Sequence, residues 1–254
     1  MRRSGAGQVP PLTQGQAREA RPDLRFDGTG SPRPGGCSMG RDLGSPARPR
    51  SAAKRESIVD AAMRAFAEHG YQGARVEDIA NELGIAKGSI FQHFGSKAGL
   101  FLAAYRKAVG SLPAWLDAPP EVVERGFWQV VRYWLERTEH LVREDWIPYR
   151  VSLVGNYGTD LALRREINRY LVSEDPYGTL ELIEFGVRRG ELRADLDVEM
   201  VASMLDWLAG GFQDALVTRE LDPGLFHRHP DPDRQRSERT ERFVELLRRA
   251  IGAA

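Results

Sequence analysis

Cysteine is almost absent: the 254 residues hold a single thiol, Cys37. One thiol supports neither a disulfide framework nor a zinc site built from thiolates, so apolar burial must hold the fold, and a reducing cytoplasm is the expected setting. Long apolar runs are also missing. The best stretch, residues 200–212, is interrupted by Asp206 and falls short of the ~18 apolar residues a spanning helix needs, so no membrane partner is expected. The Met1-Arg2-Arg3 start is followed by Pro10, Pro11 and Gly15 rather than the apolar core of a signal peptide. Catalytic signatures are lacking as well: there is no phosphate loop, no G-x-S-x-G elbow, no H-E-x-x-H pair and no cysteine nucleophile with a base. An enzyme is therefore not expected, and no cofactor is called for. His227, His229, Asp231 and Asp233 form the one grouping with metal-ligand chemistry, but the prolines around them predict a plain loop and no metal site.

Net charge is nil, with 36 Lys and Arg against 36 Asp and Glu. That zero conceals a split of roughly +7 over residues 1–107 and roughly −7 over residues 108–254, the asymmetry of a chain with one nucleic-acid-facing half. About half of the basic excess precedes Arg50, where it can equally be a solvated tail. Residues 1–49 are rich in Arg, Pro, Gly and Ser and poor in large apolar side chains. They cannot bury enough surface to offset ordering entropy and are expected to be disordered, with Met39 an alternative translation start.

From Ser51 the apolar period becomes helical. Ile58, Ala62, Ala65 and Phe66 share a face over residues 51–69, and Gly70 supplies a stop. Short helices are expected at 76–83 and 87–94 with Gly84 between them, then one at 97–109. Longer amphipathic helices follow near 121–143, 147–157, 160–172, 179–188, 198–219 and 237–251, punctuated by Pro119, Pro148, Pro176 and Gly190. Nothing alternates with period two, so the fold class is all-α.

A helix-turn-helix needs a small residue where its helices cross, a glycine free to take positive φ in the turn, and apolar residues that pin the second helix. Ala80, Gly84, Ile79, Leu83, Ile85 and Ile90 meet these needs, although a plain helical corner would do so too. The longer string from Gly70-Tyr71 through Val76-Glu77-Asp78-Ile79-Ala80 and Leu83-Gly84-Ile85-Ala86-Lys87-Gly88-Ser89-Ile90-Phe91-Gln92-His93-Phe94 to Lys97 resembles the DNA-binding domain of the TetR/AcrR family of regulators. The likeness covers about residues 55–105.

The resemblance implies an N-terminal three-helix DNA-binding domain at 50–110 and a helical ligand-binding and dimerisation domain at 111–254. It also implies a homodimer on double-stranded operator DNA, and repression relieved by a small molecule. Two recognition helices would then sit about 34–36 Å apart. Residues 87–94 would enter the major groove. Lys87 and Gly88 match family positions at base edges, while Ser89, Gln92, His93 and Lys97 match positions that hold phosphate, Gln92 being able to read adenine as well. His93 next to Phe94 has a second reading, packed on the fourth helix. The chain departs from the family pattern in four places. Ala86 and Arg75 replace usual Ser or Thr caps, Phe91 replaces a frequent Tyr, and Gly95 stands where Lys is common; Arg75 offers a cation, and Phe91 no hydroxyl, to the DNA backbone.

The C-terminal half is rich in aromatics. Trp128, His140, Trp146, Arg150, Tyr157 and Trp207 are candidate pocket residues for a small apolar or aromatic ligand, with Asn156 a further polar group. Aromatics at helical spacing are also what a plain core contains. Val201, Met204, Leu205, Leu208 and Phe212, with Phe243, Leu246, Leu247 and Ile251, form two apolar stripes expected either at a dimer interface or in the core of one subunit. An activator or a nucleoid-binding protein without a ligand would share this pattern.

Overall fold

A computed structural model describes residues 47–112, 117–222 and 232–253. The described residues are helical, with one isolated bridge between Leu192 and Gly252. Cys37, Met39, His227, His229 and Asp231 lie outside them, as does all but the end of the expected disordered segment 1–49. Among the described residues no helix is long and apolar enough to cross a membrane, and no three His, Cys, Asp or Glu side chains are grouped to hold a metal.

Helix α1 (Ala47–Gly73) buries Ile58, Ala62 and Phe66 completely, one residue per turn along one face. Gly70, at φ 67, breaks its regular path before the last turn, as the sequence predicts. Helices α2 (Val76–Glu82), α3 (Lys87–Phe94) and α4 (Lys97–Ser111) follow. Their boundaries depart little from the pattern read in the sequence. Ser96 caps α4 by accepting the Gly99 N–H at 3.0 Å.

One expected helix is two. The span 121–143 divides into α5 (Pro120–Glu124) and α6 (Phe127–Glu144) at Gly126, whose φ of 107 only glycine tolerates easily. The Glu191 carboxylate, distant in sequence, accepts the first N–H of α6, from Phe127, at 3.1 Å. Helices α7 (Trp146–Asn156), α8 (Leu161–Glu174), α9 (Thr179–Arg188), α10 (Val198–Val217) and α11 (Pro232–Ile251) complete the order. Asp145, Asp160 and Asp197 accept N–H bonds at the starts of α7, α8 and α10, which fixes where those helices begin.

Two apolar clusters hold the chain together. The first joins α1–α4 to Val151 of α7 and Leu163 and Ile167 of α8; the second joins α6, α9, α10 and α11. Helix α7 packs on both α1 and α4, so the first core does not stop near residue 110. The two predicted apolar stripes are split in use. Val201, Leu205 and Leu247 are buried in the second cluster, and Phe212 stacks on Phe243 at 4.2 Å, whereas Met204, Leu208 and Leu246 face solvent. Met200 and Trp207 join the exposed face.

Candidate nucleic-acid interface

The turn between α2 and α3 is built from backbone bonds. Gly84 takes φ 62, its N–H reaches the Asn81 carbonyl at 3.1 Å, and the Ile85 N–H reaches the Ala80 carbonyl at 3.0 Å. Ile79, Ala80 and Ile90 are nearly or wholly buried at the crossing, which sets the second helix against the first and against α4. The opposite face of α3 is left open: Lys87, Gly88 and Gln92 are exposed, and Ser89, Phe91 and His93 are half-buried. Neither Arg75 nor Ala86 makes a side-chain cap, so the first turns of α2 and α3 close on backbone alone, the Asp78 N–H on the Arg75 carbonyl and the Ser89 N–H on the Ala86 carbonyl.

The two lysines are held by the protein itself. Lys87 Nζ bonds to the Glu77 carboxylate one helix back and lies 5.6 Å over the Phe91 ring. That bond holds the Glu77 carboxyl below its usual range. Lys97 Nζ donates to the Gln72 carbonyl at 3.2 Å and lies 5.1 Å over Tyr71, so it ties the start of α4 to the last turn of α1. Partial burial lowers its pKa. His93 packs beside Phe94, ring centres 6.1 Å apart, and Arg55 of α1 covers Phe94 at 5.0 Å. Glu77 and Arg55 escape sequence reasoning because neither partnership has helical spacing.

The six candidate pocket residues are not brought together. His140 is exposed and pairs with Glu144 at 2.9 Å, Arg150 is exposed, and Trp146 and Trp207 stand in solvent. Trp128 is buried in the second cluster with Arg248 at 5.3 Å. Only Tyr157 touches the polar centre that does form, where its hydroxyl and that of Tyr149 donate to the two oxygens of Asp214 at 2.8 and 2.6 Å. A cavity of about 110 Å3 lies here, lined from α6 by Trp134 and Thr138, from α7 by Tyr149, Ser152 and Asn156, and from α10 by Asp206, Gln213 and Asp214. Burial pushes the Asp214 carboxyl up, opposed by the two phenol bonds, and pushes the Tyr157 phenol to about 12. The charge pattern of α10 was the available signal: beyond Glu199 in its first turn, the acids of this largely apolar helix are Asp206 and Asp214, eight residues apart.

Comparison with known proteins places this geometry. The family profile described as bacterial regulatory proteins, tetR family, matches residues 58–104, which is α1 from its first buried residue to the middle of α4. The chain is 33% identical over 173 residues to the HTH-type transcriptional repressor AcnR of Corynebacterium glutamicum, covering 67% of this chain and 86% of that protein. The chain belongs to the TetR family. It is also 45% identical over 176 residues to the HTH-type transcriptional repressor Rv1474c of Mycobacterium tuberculosis, covering 68% of this chain and 86% of that one. The crystal structure of FadR from Bacillus subtilis in complex with stearoyl-CoA shares the fold at a TM-score of 0.57 and 21% identity, over 76% of this chain and 96% of that chain. As a TetR-family protein the chain is a DNA-binding transcriptional regulator, not an enzyme.

Two of the departures from the TetR pattern have visible local causes or effects. Gly95 takes φ 72 as the residue closing α3, a conformation in which the common lysine would be strained. Phe91, half-buried, gives its ring to the Lys87 ammonium in place of offering a hydroxyl.

Proposed function

We propose that this regulator is a cytoplasmic homodimeric repressor that lays α3 in the major groove of operator DNA and leaves it when a small molecule fills the C-terminal helices. Residues 50–110 carry DNA recognition and residues 111–254 carry ligand uptake and dimerisation. The observation that carries the reading is the open face of α3. Lys87, Gly88 and Gln92 stand out from a short helix whose other side is fixed by Ile90, as a groove-reading helix requires. Arg75 and the exposed N-termini of α2 and α3 would contact phosphate, with Ser89, Phe91, His93 and Lys97 around them. Before Lys87 can donate to guanine it must leave Glu77. The pair is solvent-exposed and weakly held, so a nucleic-acid partner exchanges for it readily.

Dimerisation is assigned to the exposed face of α10, where Met200, Met204, Trp207 and Leu208 recur at helical spacing, and to Leu246 of α11, which is exposed as well. Leu205 and Leu247, on the same two stripes, take the other alternative and are buried in one subunit's own core. Repression is supported by the named activity of the relatives, and ligand release by the FadR complex and by the cavity on α10. A footprint of the purified protein on DNA upstream of its own gene and neighbouring genes tests the reading. A protected near-palindrome with half-sites one helical turn apart is expected, and uniform protection without sequence preference would overturn it.

A further inference from the structure

The cavity between α6, α7 and α10 has an uncommon polar make-up. Among the described residues its lining includes two carboxylates, Asp206 and Asp214, three aromatic rings, Trp134, Tyr149 and Tyr177, and no Lys, Arg or His. Asp214 is 8% exposed, and its oxygens meet only neutral phenol donors among the bonds described. A buried carboxylate with no cation beside it is costly to ionise, and burial raises its pKa accordingly. Asp206 accepts the Thr179 hydroxyl at 2.5 Å and stands at the solvent-facing side of the same lining. A separate sign of a missing guest is Thr138, a lining residue 4% exposed, whose buried hydroxyl oxygen has no hydrogen-bond partner among the described residues. Buried hydroxyls are rarely left unpaired.

We propose that this cavity binds a compact alkylammonium ligand, its N–H groups donating to Asp214 and to the Thr138 hydroxyl and its carbon chain lying among the Trp134, Tyr149 and Tyr177 rings. A cation there supplies the charge that Asp214 lacks, and aromatic faces attract it further. Size restricts the class. A cavity of about 150 Å3 accepts benzene, with six heavy atoms, so the 110 Å3 here accepts about five. Long acyl chains do not fit. The inference rests on the proposed ligand-released repression, but only for its consequence on DNA, not for binding.

The test uses the full-length protein in phosphate buffer, which is free of competing amines, with n-butylamine, n-butanol and propionate as probes. All three have five heavy atoms and differ in charge. Calorimetry and Trp134-dependent fluorescence without DNA should show n-butylamine binding at least about tenfold more tightly than n-butanol, and no binding of propionate. Asp214→Asn should reduce the amine to the level of the alcohol. Thr138→Val, which keeps the shape and removes a hydroxyl with no partner to lose, should weaken the amine several-fold without lowering the melting temperature. Equal binding of the alcohol, preference for propionate, or amine binding unaffected in Thr138→Val would overturn the proposal. Operator retention is measured separately. Amine binding that leaves DNA affinity unchanged would refute ligand-released repression and leave the amine site standing, whereas operator release by propionate alone would do the reverse.

Discussion

Replacing Gly155 with Ala should loosen the joint between α7 and the DNA-binding helices. On helix propensity alone the change would gain about 0.8–1 kcal/mol, because glycine is a poor helix residue. The site has no room for it. A Cβ there would stand 2.6 and 2.7 Å from two carbons of the Tyr105 ring and 3.1 Å from the Ile167 methyl. Tyr105 cannot retreat. It is fully buried, its hydroxyl donates to Asn156 Oδ1 at 2.9 Å, and the Phe101 and Tyr170 rings flank it at 6.3 Å each. Overpacking of this kind costs about 1–3 kcal/mol, and a lost hydrogen bond to Asn156 adds roughly 0.5–1.5. After the propensity gain the net loss is about 0.5–3.5 kcal/mol, which for a chain of this size lowers the melting temperature by roughly 1–14 °C. Gly110→Ala is the matched control, since nothing lies within 4 Å of its added carbon; it should hold or raise the melting temperature. Circular dichroism melts of both variants decide the matter. If Gly155→Ala melts at or above the wild type, the α4–α7 contact is not the close fit described.

Three further outcomes follow from the same geometry. Lys87→Ala should cost about 1–3 kcal/mol on operator DNA and relax preference at one base pair per half-site, whereas Lys97→Ala should weaken all DNA alike and flatten the slope of log affinity against log salt by about one unit per site; Glu77→Gln, which frees Lys87, should tighten DNA binding, and competition binding across a salt series separates these effects from a purely structural one. Met204→Glu with Trp207→Glu should yield folded monomers by sedimentation that lose the operator, while Leu205→Glu should lower the melting temperature instead; an intact dimer in the double variant refutes the assigned interface. Because burial raises the Asp214 pKa, the native state keeps a proton that the unfolded chain releases, so this group's contribution to stability falls as pH rises from the ordinary carboxyl value, about 3.9, through the raised native value. Asp214→Asn should therefore gain on the wild type in urea unfolding across that window, and a gap independent of pH would refute the burial cost.

What the sequence makes legible is local. Ile58, Ala62 and Phe66 repeat at helical spacing, Gly70 and Gly84 mark the places where φ must turn positive, and Ile90 anchors the short helix between Lys87 and Phe94. Each of these signals acts within a few residues, and each corresponds to an observed turn or helix end. The missed features all depend on partners far along the chain. Gly126 breaks a helix that reads as continuous because Glu191, 65 residues later, accepts the N–H behind it. Trp146 and Trp207 suggest a pocket by residue type, yet their positions on α7 and α10 point outward, while Thr138 and Asp214, which sequence reasoning did not single out, are carried inward. The two apolar stripes could not be divided into core and exposed faces until the crossing of α6, α9, α10 and α11 was known.

The cavity and the DNA-binding helices share a wall, and the size of the cavity limits what a ligand there can do. Asn156 lines the cavity and accepts the hydroxyl of Tyr105, whose helix α4 also carries Phe101, packed edge-on against Phe66 of α1 at 4.9 Å. Tyr149, on the same helix as Asn156, is held across the cavity by Asp214. A guest that competes for Asp214 therefore acts on α7, and α7 packs on α1 and α4 with too little free volume to absorb a shift by compression. Transmission still has to be supplied with free energy. Moving a population from 1:99 to 99:1 requires about 5.5 kcal/mol of differential affinity between the two arrangements. A ligand of about five heavy atoms binds with at most roughly 7.5 kcal/mol in total, at the ceiling of about 1.5 kcal/mol per atom. About three quarters of that would have to be specific to one arrangement for complete release. The ordinary coupling of ~1–3 kcal/mol is within reach of such a guest. Release by a molecule of this size should therefore be graded, with operator affinity falling by about 5–150-fold at saturation and not to the level of random DNA.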